Sequence, residues 1–325
     1  MIDVRLGFSL GSLLSVNEIL DCAKVLKSYR PDSIWVPETW GMDCGTVLGA
    51  VSQIATEPKI GSSIINIYSR TPSLIAMAAA TLDTISNGRM ILGLGTSSKA
   101  IVEEWHGLEF KRPVQRMREC VDIIRMALSG GKVTYSGEIF RLRNFSLLVS
   151  PIRPAIPIYI AAINKKMVDL AWHAGDGVIF YLRPRNELQN TITRMNRGKK
   201  IDVACQIITC VSDDLEKAVT RAKKTIAFYV SVGTVYRDFL AMNGYRKETE
   251  EIFSEYQKSG LGDTHRFVPD SMVESLALCG TPNEVPKKIK RFSDAGVDLP
   301  IIQFNPIGRV RESFGMLVKS LGGEI

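Results

Sequence analysis

The sequence predicts an α/β fold, a (β/α)8 TIM barrel in which eight parallel strands form a closed ring inside a layer of helices. The first observation is that short apolar runs alternate with amphipathic stretches about eight times along the 325 residues, which is typical of strand and helix units repeated around a parallel sheet. The second is length, because such a barrel needs about 250 residues and two segments that break the alternation explain the excess. An open, doubly wound sheet is the alternative arrangement of the same units.

The alternation assigns the elements in order. The predicted strands cover residues 4–8, 33–36, 60–65, 90–94, 158–161, 177–180, 203–210 and 299–304. The predicted helices cover residues 16–28, 43–56, 72–86, 113–129, 164–174, 185–196, 213–230 and 282–295, and a last one follows Gly308. Pro72 suits the first turn of the third helix, and Ser86-Asn87-Gly88 supplies the left-handed turn that ends it.

Two segments interrupt the alternation. Residues 132–150 carry alternating apolar positions around Ser136-Gly137, which predicts a β-hairpin insertion. Residues 232–275 are polar, helical in character and not followed by a strand of their own, which predicts a helical insertion. Because neither segment has the character of a separate domain, we expect residues 1–325 to form a single barrel domain.

Composition and charge exclude several classes of protein. Hydrophobic residues make up 45% of the chain, so a large core can form, and the net charge of +7 arises from dispersed basic residues. No aromatic and basic recognition motif is present, so we expect no nucleic-acid partner. No apolar run reaches the 18 or so residues of a membrane span, and the N-terminus, MIDVRLGFSL, lacks a targeting pattern.

The cysteines are spaced too widely for a disulfide framework or a metal site. They are Cys22, Cys44, Cys120, Cys205, Cys210 and Cys279. We therefore expect reduced core cysteines, no metal and a cytoplasmic location.

The loops that follow the strands form the working surface of a parallel barrel. After the first strand, Gly7-Phe8-Ser9-Leu10-Gly11 matches the G-x-S-x-G pattern of a serine hydrolase. Such an enzyme also needs an acid and a histidine, and the chain has only three histidines. We favour the interpretation that the glycines relieve crowding where the strand opens into the site.

After the second strand, Glu38 stands between Trp35 and Trp40 in the sequence, next to Thr39. A carboxylate enclosed by two indoles would be desolvated, which would raise its pKa toward that of a general acid or base. Glu38 is therefore the first candidate for proton transfer. The alternative is an ordinary glutamate at the rim beside core tryptophans.

After the third strand, small residues including Ser63 precede Ile64 and Asn66, a pattern that suggests a backbone distortion pushed toward a planar ligand. Tyr68 and Arg70 could line the same opening, although an exposed arginine is often simply solvated.

After the fourth strand, Gly93 and Gly95 would let the backbone approach a ligand, and Thr96, Ser97 and Ser98 offer hydroxyl groups to phosphate or sugar oxygens. A dinucleotide fingerprint is a poor match, because the third glycine is missing and no suitable acid follows.

After the fifth strand, Ile163-Asn164-Lys165-Lys166 opens a helix. An asparagine cap, free amides and two lysines would form an anion site, while simple capping beside surface lysines is the alternative.

These strand-end residues lie in motifs that resemble the bacterial luciferase-like superfamily. The motifs are Asn66-x-Tyr68-x-Arg70-x-Pro72; Thr81-Leu82-Asp83 followed by Ser86-x-Gly88-Arg89-x-x-Leu92-Gly93-x-Gly95; and Gly280-Thr281-Pro282 through Ala295-Gly296-Val297 to Asn305-Pro306-Ile307-Gly308. Within the superfamily, the chain is similar nearly end to end to archaeal methylenetetrahydromethanopterin reductases, which use the deazaflavin coenzyme F420.

The resemblance implies a homodimeric barrel whose deazaflavin or flavin lies over a bulge with a non-prolyl cis peptide bond at the end of the third strand. On this chain that bond would join Ser63 to Ile64. The helix start at Asn164 would face the phosphate of the cofactor. The full set of expected cofactor-binding residues is Thr39, Ser63, Ile64, Asn66, Gly95, Thr96, Ser97, Ile163 and Asn164.

The chain departs from the pattern of these reductases at the expected proton donors. Ser9 and Ser98 stand where acidic residues are usual, and Glu38-Thr39 stands where related deazaflavin enzymes often show Asp-His. We therefore expect Glu38, Ser9 and Ser98 at the catalytic positions of an enzyme that moves a hydride between coenzyme F420 and a small organic acceptor, such as a one-carbon pterin. An FMN-dependent monooxygenase and a non-catalytic deazaflavin-binding protein are the alternatives.

Overall fold

The computed structural model describes residues 4–153, 155–196 and 198–323. Its strands in chain order are β1 (Gly7–Ser9), β2 (Ser33–Val36), β3 (Lys59–Ser62), β4 (Ile65–Asn66), β5 (Met90–Gly95), β6 (Val133–Ser136), β7 (Arg141–Phe145), β8 (Ile158–Ala161), β9 (Gly177–Tyr181), β10 (Asp202–Val211), β11 (Ala277–Gly280) and β12 (Leu299–Phe304). Parallel pairing runs β1-β2-β3-β5-β8-β9-β10-β12 and closes between β12 and β1. The predicted eight-stranded barrel is confirmed, and the eight predicted runs are its strands.

The helices surround this ring. They are α1 (Val16–Tyr29), α2 (Cys44–Ile54), α3 (Pro72–Ile85), α4 (Pro113–Leu128), α5 (Lys165–Ala174), α6 (Arg185–Met195), α7 (Leu215–Val232), α8 (Thr234–Leu240), α9 (Arg246–Ser259), α10 (Asp270–Leu276), α11 (Val285–Asp294) and α12 (Val310–Ser320). Two π-helical turns (Ile101–Trp105 and Ala241–Tyr245) and a 3-10 turn (Thr264–Phe267) complete the set. Among the described helices, none is both long enough and apolar enough to span a bilayer.

Local side chains explain where several helices begin and end. Ser15 and Glu18 form a reciprocal capping box at α1, and Asp43 caps α2 through the backbone N–H of Thr46. Thr71 caps α3 directly before Pro72. The predicted left-handed turn after α3 is confirmed, since φ is 55° at Asn87 and 77° at Gly88.

Both predicted insertions are confirmed. Strands β6 and β7 form an antiparallel hairpin outside the barrel. The helical insertion predicted over residues 232–275 is formed by α8 to α10, residues 234–276, with the two short turns between them. Two strands were missed. Strand β4 pairs with β5 after a break in the third strand. Strand β11 pairs with residues 208–211 of β10, on the same edge of β10 with which β9 pairs nearer the amino end. Each is too short to give an alternating pattern in the sequence.

Seven buried residues fill the interior of the barrel. They are Trp35, Ile91, Tyr159, Ile179, Ala204, Leu299 and Ile301. Glycines make room for the largest of them, because a Cβ on Gly61 would lie 2.3 Å from the Trp35 ring and one on Gly7 would lie 2.8 Å from its indole nitrogen. This packed layer closes the barrel, so any ligand site at the carboxyl ends of the strands lies above it.

Candidate functional site

Neutral polar side chains follow the packed interior on four strands, three of them at or next to the carboxyl end of the strand and one in the middle of the long strand β10. Alternate residues of a strand face the same way. Each of four polar residues therefore faces the barrel axis, because it lies two positions after a residue that does so: Ser9 after Gly7, Tyr181 after Ile179, Gln206 after Ala204 and Gln303 after Ile301. The hydroxyl of Tyr181 donates to Oε1 of Gln303 at 2.9 Å. Ser9, at the end of the first strand, is buried. We call these four residues the polar floor.

A break in the third strand forms the opposite side of the opening. Strand β3 ends at Ser62 and β4 begins at Ile65, with Ser63 and Ile64 between them forming a bulge. The backbone N–H of Ser63 donates to Val36 O at 2.9 Å, and that of Glu38 donates to Ile64 O at 3.4 Å. The peptide bond between Ser63 and Ile64 is cis, which confirms the expectation drawn from the resemblance.

The glycines of β5 accept this bulge. A Cβ on Gly93 would lie 1.9 Å from the carbonyl oxygen of Ser62, and one on Gly95 would lie 2.5 Å from Cγ1 of Ile64. The space that these glycines leave is filled by the bulge itself. Their role is to let Ile64 lie flat against the barrel wall.

Two polar atoms in this region are buried without a hydrogen-bond partner among the described residues. They are Oγ of Ser63 and Nδ2 of Asn66. The Oδ1 of Asn66 accepts from the backbone N–H of Tyr68 at 2.9 Å, so the amide is held with Nδ2 free to donate. A buried polar group without a partner costs about 1–3 kcal/mol, and a ligand with carbonyl oxygens along one edge would supply the missing partner.

Glu38 is held by an arginine. Nε of Arg70 donates to both carboxylate oxygens at 3.1 Å, and Nη2 reaches Oε1 at 2.6 Å and also pairs with Asp43. The hydrogen bond to Glu38 is the main reason that the pKa of the Arg70 guanidinium is raised. This arginine is thus clamped between two carboxylates rather than solvated.

The expected enclosure of Glu38 by two indoles is wrong. Trp35 points into the barrel interior and donates its indole N–H to Ser33 at 2.8 Å. Trp40 is 52% exposed and packs edge-on against Trp105. The strand alternation directs Trp35 inward, while Trp40 lies beyond the strand in the loop. The two indoles therefore do not enclose Glu38, although they are close to it in the sequence.

The hydroxyl groups near the opening are engaged locally. Thr39 shares a hydrogen bond of 2.6 Å with Ser12, which joins the loops after β1 and β2. The Oγ of Ser98 accepts a hydrogen bond from the backbone N–H of Ile101 at 3.3 Å, next to the following π-helical turn. Thr96 contacts the carbonyl of Ser97 at 3.4 Å, and Ser97 has a φ of 57°.

The start of α5 differs from the prediction at one point. Asn164 occupies the cap position, but its side chain makes no capping hydrogen bond, and only its backbone carbonyl accepts from Met167 and Val168. The predicted asparagine side-chain cap is therefore wrong, and this side chain is exposed. The carbonyl of Ile163 is instead bound by the buried guanidinium of Arg183.

Aromatic side chains border the opening, and the sequence interpretation missed them. The Trp40 ring lies 5.5 Å from Trp105 and 6.1 Å from Phe228 of α7, measured between centroids. Tyr229, the next residue of α7, lies 5.0 Å from Tyr181. The rings come from separate loops and helices, so no local sequence pattern indicates that they meet.

Known proteins share this architecture and sequence. Residues 5–299 match the family model described as luciferase-like monooxygenase. A 5,10-methylenetetrahydromethanopterin reductase of Archaeoglobus fulgidus is 32% identical over 261 residues, which cover 77% of each chain. The coenzyme F420-dependent tetrahydromethanopterin reductase of Methanopyrus kandleri has a similar structure, with a TM-score of 0.87, 24% identity and 98% of each chain covered. An F420-dependent secondary alcohol dehydrogenase, solved with an F420-acetone adduct, has a TM-score of 0.80, 21% identity and the same coverage.

Proposed function

Because this chain belongs to the luciferase-like monooxygenase family, we propose that it is an oxidoreductase that uses coenzyme F420 to reduce a small organic acceptor. The relative that is 32% identical to the chain is a methylenetetrahydromethanopterin reductase, so a one-carbon pterin is the first acceptor to consider. The observation that carries the proposal is the wall formed by Ser63, Ile64 and Asn66 above the packed interior. When bound, the deazaflavin supplies a hydride donor.

The residues of this wall fit a deazaflavin ring. Ile64 offers an apolar face, since Gly93 and Gly95 leave it room against β5. One edge of a deazaflavin carries carbonyl oxygens and an N–H group, and these are the partners that Nδ2 of Asn66 and Oγ of Ser63 lack. The exposed Lys165 and Lys166 at the start of α5 are suited to a phosphate group. Thr39, Gly95, Thr96, Ser97, Ile163 and Asn164 are the other residues that we propose for cofactor binding.

The structure changes the role proposed for Glu38. Both of its carboxylate oxygens accept hydrogen bonds from Arg70, so the carboxylate is engaged in an ion pair within the protein. We propose instead that Glu38 and Arg70 position the bulge, because the backbone of Glu38 is bonded to Ile64. Ser9 and Ser98 remain candidates for contact with the acceptor, since the Oγ of Ser98 only accepts a hydrogen bond, from the backbone N–H of Ile101.

Anaerobic turnover tests the proposal. Reduced coenzyme F420 is mixed with the protein and methylenetetrahydromethanopterin, or with acetone, and the return of the oxidised deazaflavin is followed by absorbance. We expect protein-dependent oxidation with one of these acceptors and no need for oxygen. Oxygen consumption with reduced FMN and no reaction of reduced F420 would instead identify a flavin monooxygenase. Tight F420 binding without hydride exchange to any acceptor would favour a binding protein.

We also propose that the protein is a homodimer. Helix α3 exposes three large apolar side chains, Leu74, Met77 and Ile85, each more than 40% accessible in the single chain. Exposed apolar clusters often mark association surfaces. Sedimentation should give a dimer for the natural chain and a monomer for Met77→Glu. A natural chain that sediments as a monomer would remove this part of the proposal.

The six cysteines are consistent with a reducing compartment, and we propose the cytoplasm. All of them are buried free thiols. Burial raises the pKa of Cys22 and of Cys120 to about 12, so neither forms a thiolate readily. A maleimide reagent should therefore label the folded protein slowly and the unfolded protein at every cysteine.

A further inference from the structure

The polar floor leads to an inference about the acceptor, and it rests on the proposed function. We propose that Gln206, Gln303 and Tyr181 recognise an uncharged acceptor that presents an amide-type edge, with an N–H donor beside a carbonyl oxygen, as the lactam of a pterin does. The same surface would reject acceptors that bring a carboxylate or a phosphate to this point.

Gln206 and the bulge stand on opposite sides of the barrel. Strand β10 lies four strands from β3 in either direction around the closed barrel, so Gln206 stands on the strand opposite the bulge of Ser63 and Ile64. Gln303 stands on β12, next to β10, and Tyr181 stands on β9, its other neighbour. A ring held against the bulge and an acceptor held by the floor would therefore face each other.

Gln206 offers an unpaired hydrogen-bond acceptor. Oε1 of Gln206 is buried and has no hydrogen-bond partner among the described residues. Its strand neighbours in register are Tyr181 on one side and Ile301 on the other. Leaving such a carbonyl unpaired costs about 1–3 kcal/mol, so a ligand that donates an N–H or O–H at this point gains the corresponding stabilisation.

Gln303 offers a hydrogen-bond donor in a fixed orientation. The hydroxyl of Tyr181 donates to Oε1 of Gln303 at 2.9 Å, and this bond leaves Nε2 of Gln303 as the group free to donate to a ligand. Tyr229 and Tyr236 pack edge-on against the Tyr181 ring at 5.0 and 5.7 Å and hold it in place. Burial raises the pKa of Tyr181 well above its usual value, so the hydroxyl keeps its proton and the orientation does not change at working pH.

The side chains of the polar floor are uncharged. The floor combines one acceptor, Oε1 of Gln206, with one donor, Nε2 of Gln303, and its four side chains carry no charge. A lactam edge matches this pair, with its N–H toward Gln206 and its carbonyl toward Gln303. A carboxylate or phosphate would lose water here without gaining a counter-charge, which is costly.

Calorimetric titration of 6-methylpterin into protein saturated with coenzyme F420 tests the inference. We expect saturable binding, and in Gln206→Met, which keeps the size but removes the carbonyl, we expect about a tenfold weaker dissociation constant. Gln206→Glu keeps an acceptor oxygen and should bind the probe more tightly than Gln206→Met. Tyr181→Phe should weaken the probe about fivefold by releasing Gln303. Gln189→Met, at an exposed glutamine of α6, is the matched control and should leave binding unchanged.

The affinity for coenzyme F420, measured on the same variants, separates the two proposals. If F420 binds but 6-methylpterin does not, or if Gln206→Met binds the pterin as tightly as the natural protein, the inference about the acceptor is wrong and the proposed function stands. If F420 itself does not bind, the proposed function fails first. Circular dichroism of each variant shows whether a loss of binding reflects unfolding.

Discussion

At the scale of single residues, two glycines of β5 determine whether the bulge can form. Gly95 has no Cβ where Cγ1 of Ile64 would be only 2.5 Å away, and Gly93 has none where the backbone of Ser62 would be closer still. The difference between the two contacts matters. A side chain such as Ile64 can move or be trimmed, whereas the backbone carbonyl of Ser62 cannot.

We therefore predict different outcomes for two matched substitutions. Gly95→Ala should displace Ile64, cost about 1–3 kcal/mol of folding stability and weaken the binding of coenzyme F420. Adding Ile64→Ala should recover part of the lost stability, because the clash is with the side chain. Gly93→Ala should not be recovered by Ile64→Ala. Thermal unfolding of the four variants measures this, and equal recovery at both positions would contradict the description of the bulge.

A substitution at Arg70 tests whether the clamp on Glu38 positions the bulge. Arg70→Lys keeps the charge but loses the planar fork that binds both oxygens of Glu38. We expect about a tenfold weaker dissociation constant for coenzyme F420, because Glu38 carries a backbone bond to Ile64. Arg30→Lys, in an exposed pair with Glu57, is the control. An F420 affinity that is equal in both variants would show that the clamp does not position the bulge.

At the scale of elements, a buried carboxylate fastens the β6–β7 hairpin to the barrel. Glu119 of α4 is buried and accepts the backbone N–H groups of Glu138, Ile139 and Phe140 at 2.9–3.1 Å. Burial acts to raise the pKa of Glu119, but the hydrogen bonds from Gln115 and these amides prevail and lower it. The charged form is thus the one that holds the hairpin.

Glu119→Gln should therefore destabilise the protein by about 1.5–3 kcal/mol at neutral pH, because an amide NH2 would face backbone donors. The folded pKa lies below the unfolded value of about 4.3, so this stabilisation is present above that pH and is lost as pH falls through the folded pKa. Denaturant unfolding of both proteins should show a gap at pH 7 that narrows below about pH 4. A gap that stays constant with pH would contradict the role of the charge.

The elements were largely predictable from the sequence, and the site was only partly so. Apolar runs such as residues 299–304 and local caps such as Pro72 carry their information in neighbouring residues, and those predictions are confirmed. The small residues after the third strand indicated a distortion, and the resemblance placed the cis bond of the bulge between Ser63 and Ile64. The clamp on Glu38 could not be predicted, because Arg70 lies 32 residues away and only the closed barrel brings the two together. The polar floor was missed, apart from Ser9, for the same reason.

At the scale of the whole molecule, a group of ion pairs and the candidate site lie at opposite ends of the barrel. At the amino ends of the strands, Arg5 bridges Asp32 and Asp202, and Tyr159 donates to Asp202 as well. These contacts join β1, β2, β8 and β10 below the packed interior. At the carboxyl ends lie the bulge, the polar floor and the aromatic border. We propose that the whole chain forms one domain with this division.

Arg5→Met should therefore lower stability without changing the site. Because Arg5 is partly exposed while both carboxylates are mostly covered, we expect a loss of about 1–3 kcal/mol in the free energy of unfolding. The dissociation constant of coenzyme F420 should stay within twofold of that of the natural protein. Urea unfolding and an F420 titration of the same sample measure both quantities. A large loss of F420 affinity with little loss of stability would contradict the separation.

The central claim is that the bulge after β3 and the unpaired amide of Asn66 hold a deazaflavin. The most direct measurement is a fluorescence titration of the natural protein and of Asn66→Leu with coenzyme F420 and, separately, with FMN. We predict saturable binding of F420 that exceeds FMN affinity by at least about tenfold, and a tenfold or greater loss of F420 affinity in Asn66→Leu. Preference for FMN, or F420 binding that is unchanged in a folded Asn66→Leu variant, would contradict the claim.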